Sequence, residues 1–223
     1  METYFNKFDK VFVALSGGAD SAAVLMMAVE YLGADRVTAF TCTGSHVFGH
    51  EIETAKEIAA KLGVKHVCMV VDMPEQFYEN APDRCYHCKK ATLAKIVEMA
   101  KGDTIFDGTN IDDDPRNRPG FRALQETGII SPLRDLGLGK SFTLDKVKPL
   151  DIDFHDESCK ATRLTLPIDE ERMDRVERVE SLLRDRFRGL RYRLDDNRIE
   201  FKKPVRLSAS DFENIVNAVG MIS

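Results

Sequence analysis

Apolar and polar positions along the first two thirds of the chain follow two alternating periods. Residues 10–15 form a short continuous apolar run, the pattern of a strand buried on both faces. Residues 19–32 carry apolar side chains at helical spacing and stop at Gly33. The pair of patterns then recurs. Strand 36–41 precedes helix 51–62, which ends at Gly63, and strand 65–71 follows. Helix 89–100 leads to strand 104–107, short helix 120–127 and a fifth strand opening at 129–131. Residues 72–88 break the rhythm, being polar and irregular with two prolines, Pro74 and Pro82. Strand–helix alternation of this kind predicts an α/β fold: a doubly wound, parallel five-stranded sheet with right-handed crossovers.

The character changes after Leu150. Residues 151–167 read as a polar loop holding Cys159. Residues 168–187 read as a charged amphipathic helix with Met173, Val176, Leu183 and Phe187 near one face. Strands 190–194 and 198–201 are joined through Asp195-Asp196-Asn197, a hairpin turn. A last helix, 208–219, carries Ser210 as N-cap and Glu213 as the partner in a capping box. The expected organisation is a domain over 1–150 and a small α+β lobe over 151–223.

Composition narrows the class. At 223 residues and 43% hydrophobic, the chain can build one sizeable core with a small appendage. A net charge of -5 argues against a nucleic-acid surface. No apolar stretch is long enough to span a bilayer and the first ten residues lack a signal-peptide pattern, so a cytoplasmic location without membrane contact is expected. Five cysteines, an odd number, argue against a disulfide framework and leave core residues, metal ligands or reactive thiols.

Ser16-Gly17-Gly18-Ala19-Asp20-Ser21 lies between the first strand and the first helix. Two glycines let backbone N–H groups approach an anion, and the helix N-terminus adds unpaired donors and partial positive charge. Ser16 and Ser21 add hydroxyl donors, and Asp20 can place a metal ion that bridges phosphates. The position is the C-terminal edge of a strand, where open α/β sheets bind ligands. The spaced Gly-Lys-Ser/Thr of a Walker loop is missing. The hexamer resembles the S-G-G-x-D-S signature of PP-loop ATP pyrophosphatases, which split ATP between the α and β phosphates and adenylate a substrate.

Cys85-Tyr86-His87-Cys88 is a C-x-x-C on an irregular segment running into a helix, and Cys159 sits in a distant polar loop. Three thiolates can hold a cubane iron–sulfur cluster and leave its fourth iron open. Zinc held by the three cysteines with His155 or His87 is an alternative, as is a C-x-x-C redox pair of lowered pKa. Cys42 and Cys68, in apolar strand contexts, read as small core residues.

Further motifs resemble one PP-loop family. Arg84-Cys85-Tyr86-His87-Cys88-Lys89 is similar to the R-C-Y-x-C-K motif of the LarE family, the ATP-dependent sulfur transferases of nickel-pincer nucleotide synthesis. Asp107-Gly108-Thr109-Asn110 followed by Arg118-Pro119-Gly120 resembles its D-G-T-N…R-P-G segment, and Ala123, Glu126 and Ser131-Pro132-Leu133 continue the match. Cys159-Lys160-Ala161-Thr162-Arg163 resembles its C-x-x-S-R motif, with Thr162 in place of serine. The resemblance implies that ATP adenylates a carboxylate of pyridinium-3,5-biscarboxylic acid mononucleotide and that sulfur then displaces AMP to leave a thiocarboxylate. In one branch of that family a single cysteine surrenders its own sulfur. In another, three cysteines carry a 4Fe–4S cluster that delivers sulfide. The presence of all three cysteines places this chain in the second branch, with a sulfide donor as partner.

The implied roles follow. Ser16, Gly17, Gly18, Asp20 and Ser21 bind ATP and Mg2+, joined by Gly108, Thr109 and Asn110 at the end of the fourth strand. Cys85, Cys88 and Cys159 are the metal ligands and, with Asp20, the catalytic set. Asp112 to Asp114 offer further magnesium ligands. Thr162, Arg163, Arg191 and Arg193 take the substrate phosphate, with Arg198 nearby, and Glu180 serves as base or metal ligand. Arg84 and Lys89 lower the thiol pKa values. The charged tail helix and strand-edge arginines point to a homo-oligomer. Competing readings are a PP-loop tRNA thiolase with the same cluster chemistry, an amide-forming NAD or GMP synthetase, and a zinc-containing nucleotide-binding regulator.

Overall fold

The structure, a computed structural model, describes residues 1–114, 120–154, 158–165 and 167–220. The chain runs α1 (Glu2–Phe5), β1 (Val11–Ala14), α2 (Ala19–Leu32), β2 (Val37–Thr43), α3 (Gly49–Lys61), β3 (Lys65–Val70), α4 (Glu75–Tyr78) and α5 (Arg84–Ala100). It continues through β4 (Thr104–Phe106), α6 (Gly120–Thr127), α7 (Pro132–Asp135), α8 (Lys140–Val147), α9 (Glu170–Leu183), β5 (Leu190–Arg193), β6 (Arg198–Phe201) and α10 (Ala209–Gly220).

Four parallel strands lie in the order β3-β2-β1-β4. The chain steps outward from β1 to β2 and β3, then returns to place β4 on the other side of β1. Strand order therefore reverses between β1 and β4. The doubly wound α/β class is as expected, but the fifth strand is reduced to one parallel bridge between Phe106 and Ile130. Ile130 accepts from the Asp107 N–H at 3.0 Å and donates to the Ile105 carbonyl at 3.0 Å. Pro132 follows at once with no N–H to extend a ladder, and α7 begins there.

Period-2 alternation sorts the sheet's side chains. Val11, Val13, Leu15, Val37 and Ala39 meet α2, α3 and α8 on one face. Phe12, Ala14, Phe40 and Cys42 meet α5 and α6 on the other. Six residues of α2, Ala22 to Leu25 with Met27 and Ala28, are fully buried, as a helix apolar nearly all round must be. Each such large side chain contributes about 1.5–3 kcal/mol. A separate cluster joins α9, β5 and α10 to Phe48 and Phe77, with Cys88 and Cys159 at its margin.

Local differences from the sequence reading are instructive. The segment read as irregular up to residue 88 is helical from Arg84, so Cys85 and Cys88 stand on the first turns of α5. Glu51 lies one turn inside α3, and α8 had no clear periodic signal. The last helix is capped by Ser208 and Asp211 instead of Ser210 and Glu213: the Ser208 N–H donates to Asp211 Oδ2 at 2.9 Å, and the Asp211 N–H to Ser208 Oγ at 3.1 Å. Cys68 is exposed because β3 is the sheet's edge, so it is not a core residue. His155, Arg118 and Pro119 lie outside the described residues.

Candidate active site

The loop after β1 is knitted by its serines. Ser21 Oγ accepts the Ser16 N–H at 3.1 Å and donates to the Gly18 carbonyl at 3.0 Å, while Ser16 Oγ accepts the Gly18 N–H at 3.3 Å. Gly17 has φ +85°, and a Cβ there would meet the Glu51 carbonyl oxygen of α3 at 2.3 Å. Gly108, at the end of β4, packs so closely that its Cβ would lie 2.7 Å from the Ser21 nitrogen. Only glycine fits at either contact. The phosphate loop and the β4 loop therefore touch at the switch point, where open α/β sheets bind ligands.

A cavity of about 410 Å³ opens there. Ser16, Asp20, Ser21, Asp107, Gly108 and Thr109 line its polar side, Phe40, Leu93 and Ile96 its apolar side. Cys42, His46, Glu51, Lys89, Thr92, Asp113 and Cys159 complete the wall. Thr143 Oγ donates to Asp20 Oδ1 at 2.7 Å, so α8 aims the carboxylate. Asp107 is buried and accepts from the Thr109 N–H at 3.2 Å, Thr109 Oγ at 2.6 Å and Ser131 Oγ at 2.7 Å, with Lys89 Nζ at 3.7 Å. Asn110 does not line the cavity. It is fully buried behind it, its N–H donating to Asp113 Oδ2 at 3.1 Å and its Oδ1 accepting from Asp112 at 2.8 Å. Asn110 thus builds the turn beside the cavity.

Cys42 packs against the core as expected and also lines the cavity, with Thr92 Oγ donating to its sulfur at 3.7 Å. Burial pushes its thiol up. His46, buried against Phe77, is held down to about 4, first by burial and then by the Lys160 charge. These wall residues carry no motif, and only the packing of β2 against α5 brings them to the cavity.

The three motif cysteines converge without closing. Burial pushes the Cys88 thiol up to about 12, reinforced by charge on Cys159, Cys42 and Cys85, with Lys89 opposing. Cys159 rises to about 11, again chiefly from burial, with the Ala161 N–H and Arg84 opposing and Cys85 reinforcing. Arg84 and Lys89 act in the expected direction but are outweighed, so Cys88 and Cys159 are protonated thiols at neutral pH rather than low-pKa thiolates. Among the described residues, no three His, Cys, Asp or Glu side chains stand as a closed ligand set.

The residues expected to hold substrate make contacts within the protein itself. Arg163 is 1% exposed and grips Glu180, itself 2% exposed, through Nε–Oε1 at 2.9 Å and Nη2–Oε2 at 3.0 Å. Glu180 Oε1 also accepts the Tyr192 N–H at 2.8 Å. The two opposite charges are paired inside the lobe, and Arg163 also donates to the Ser158 carbonyl at 2.9 Å. Thr162 Oγ donates to the Cys159 carbonyl at 2.7 Å and accepts from Arg163 Nη1 at 2.9 Å, stitching the turn after Cys159. Arg193 is taken by Glu200 at 2.8 Å and by the Thr162 carbonyl. Arg191 faces Glu200 across the hairpin.

The asparagine synthase family profile matches residues 6–99. Protein MJ0830 of Methanocaldococcus jannaschii is 32% identical over 194 residues, covering 84% of this chain and 74% of that protein. The pyridinium-3,5-bisthiocarboxylic acid mononucleotide synthase of Lactiplantibacillus plantarum is 31% identical over 137 residues, covering 59% of this chain and 50% of that enzyme. The chain belongs to the LarE family of PP-loop proteins. As a LarE-family member it is an ATP-dependent enzyme. Protein slr1717 of a Synechocystis strain is 29% identical over 215 residues, covering 92% of this chain and 80% of that protein. Residues 66% of the chain in extent superpose on 30% of a glutamine-dependent NAD+ synthetase from Acinetobacter baumannii, with TM-score 0.46 and 20% identity. No described helix of this LarE-family chain is long and apolar enough to cross a membrane.

Proposed function

We propose that this enzyme is an ATP-dependent sulfur transferase that converts a carboxylate of pyridinium-3,5-biscarboxylic acid mononucleotide to a thiocarboxylate. The observation that carries the reading is Cys159 in the wall of the phosphate-loop cavity, with Cys85 near enough to raise its thiol and with Cys85 and Cys159 both near enough to raise that of Cys88. Phe40, Leu93 and Ile96 receive the adenine, while Ser16, Ser21 and the α2 N-terminus hold the phosphates. Asp20 holds Mg2+, a hard cation suited to its carboxylate oxygen. The substrate carboxylate attacks the α-phosphorus, the bond to the bridging oxygen breaks, and pyrophosphate leaves on the loop's N–H groups. A sulfur nucleophile then adds to the acyl carbon, and AMP departs with the former carboxylate oxygen.

Three cysteines approach one another, the donor chemistry of an iron–sulfur centre, and Cys88 and Cys159, protonated through burial, would each give up a proton when a metal group binds. Cys85, Cys88 and Cys159 would hold a 4Fe–4S cluster, and such a group would supply sulfide as the nucleophile. The role of the protein's own residues is to keep these thiols beside the bound adenylate. The 151–223 lobe, with Arg191, contacts the mononucleotide and carries self-association through Phe212 and Val216, both exposed on α10.

A second reading is favoured by one observation: of the three cysteines, Cys159 alone is among the residues lining the cavity. Its own sulfur would then attack, and β-elimination would leave dehydroalanine. Alanine variants at the three positions separate the readings. Loss of reconstituted iron and of thiocarboxylate in all three variants, with pyrophosphate release retained, supports the cluster. Dependence on Cys159 alone, with a 34-dalton loss, supports elimination. Normal pyrophosphate release by Asp20→Ala would overturn the phosphate-loop assignment.

A further inference from the structure

One carboxylate ties the nucleotide end of the site to the thiol end. Glu177, on α9, accepts the Gly49 N–H at 2.6 Å through Oε1 and the Lys160 ammonium at 2.5 Å through Oε2. Gly49 opens α3, whose first turn presents the Glu51 carbonyl directly to Gly17 of the phosphate loop. Lys160 immediately follows Cys159. It is 2% exposed, its backbone N–H donates to the His46 carbonyl at 3.0 Å, and its ammonium lies over the Phe48 ring. Residues 46–49 thus bond the turn after Cys159 directly and again through Glu177. A buried ammonium with a single carboxylate partner is costly to leave unpaired, so this contact has one strongly preferred geometry.

We infer that Glu177 is a positioning residue that holds the Cys159 turn in register with the phosphate loop, through Lys160 on one side and the α3 N-terminus on the other. The inference rests on the sulfur-transfer reading for its consequence but not for its geometry. The hydrogen bonds of Glu177 go to Gly49 and Lys160 and not to the phosphate loop, so adenylation depends on it less than the placement of Cys159 does. Sulfur delivery does, because a displacement of about 1 Å at a reacting atom costs on the order of a hundredfold in rate.

The test uses Glu177→Gln and Lys160→Met, with Lys160→Arg as the conservative variant. Alkylation by N-ethylmaleimide is followed cysteine by cysteine by peptide mass spectrometry, beside pyrophosphate release and thiocarboxylate formation. In Glu177→Gln and Lys160→Met, Cys159 alkylation should rise about tenfold as the turn opens, with exposed Cys68 and half-buried Cys42 unchanged. Pyrophosphate release should stay within about twofold while thiocarboxylate falls on the order of a hundredfold, and Lys160→Arg should restore both. Unchanged Cys159 alkylation, or an equal rise at Cys42, would overturn the inference. If the unaltered enzyme forms no thiocarboxylate yet the alkylation pattern appears, the clamp stands and the sulfur-transfer reading fails.

Discussion

Glu180→Ala offers the sharpest check on the rearranged roles of the second lobe. The change leaves the Arg163 guanidinium, with 0% of its side chain exposed, without its carboxylate. Three bonds are lost at once: two from Arg163 at 2.9 and 3.0 Å, and the Tyr192 N–H at 2.8 Å. Breaking a buried pair by removing one partner costs about 3–5 kcal/mol. The stranded Tyr192 N–H lies within that figure, at about 1–3 kcal/mol. A loss near 4 kcal/mol in a chain of this size lowers the melting temperature by about 8–16 °C. Replacing both partners with apolar side chains, Arg163→Met with Glu180→Leu, removes both buried charges and should recover part of the loss, the remainder being the Tyr192 N–H at about 1–3 kcal/mol and the Arg163 bonds to Ser158 and Thr162. Urea unfolding of wild type, both single variants and the double gives the coupling energy directly. A single-variant loss below about 1 kcal/mol, or additive losses in the double, would refute the buried-pair argument. It would return Arg163 to the list of groups free to bind substrate phosphate.

Three further outcomes are expected. Gly17→Ala should abolish ATP binding in calorimetry and destabilise the fold by at least about 1–2 kcal/mol, since a Cβ at φ +85° would sit 2.3 Å from the Glu51 carbonyl. Thr143→Val should slow pyrophosphate release about 10–100-fold and raise the Mg2+ requirement, because Asp20 loses the hydroxyl that aims it. His46 is depressed to about 4 in the folded chain, so between pH 6.5 and 4 the unfolded chain binds more protons and acidification destabilises the fold. Stability from this group is present above pH 6.5 and is lost as pH falls toward 4. Wild type should therefore lose about 2 kcal/mol more than His46→Gln between pH 7 and 5 in thermal unfolding.

What local pattern encodes was legible in the chain. The apolar run at 10–15, the two glycines after it and the periodic stretch to Gly33 were enough to place a strand, an anion loop and a helix in that order. Their spacing depends only on neighbours in sequence. The hairpin at 190–201 and the helix before it follow from the same short-range rules. Side chains that meet across the fold were not legible. Nothing near Arg163 in sequence announces Glu180, and nothing near Arg193 announces Glu200, so arginines that looked available for phosphate prove to be satisfied. Cys42 and Cys68 have similar local contexts. One faces the nucleotide cavity and the other lies exposed, because β2 is interior to the sheet and β3 is its edge. The C-x-x-C shows the same thing: Arg84 and Lys89 beside it suggested low-pKa thiols, and burial against α9's cluster reverses the outcome at Cys88. Sequence determined the glycine-rich loop after the first strand and the cysteines available for chemistry. Tertiary structure decided which charges cancel, which thiols are buried and which residues share a wall, because desolvation and pairing are set by neighbours distant along the chain.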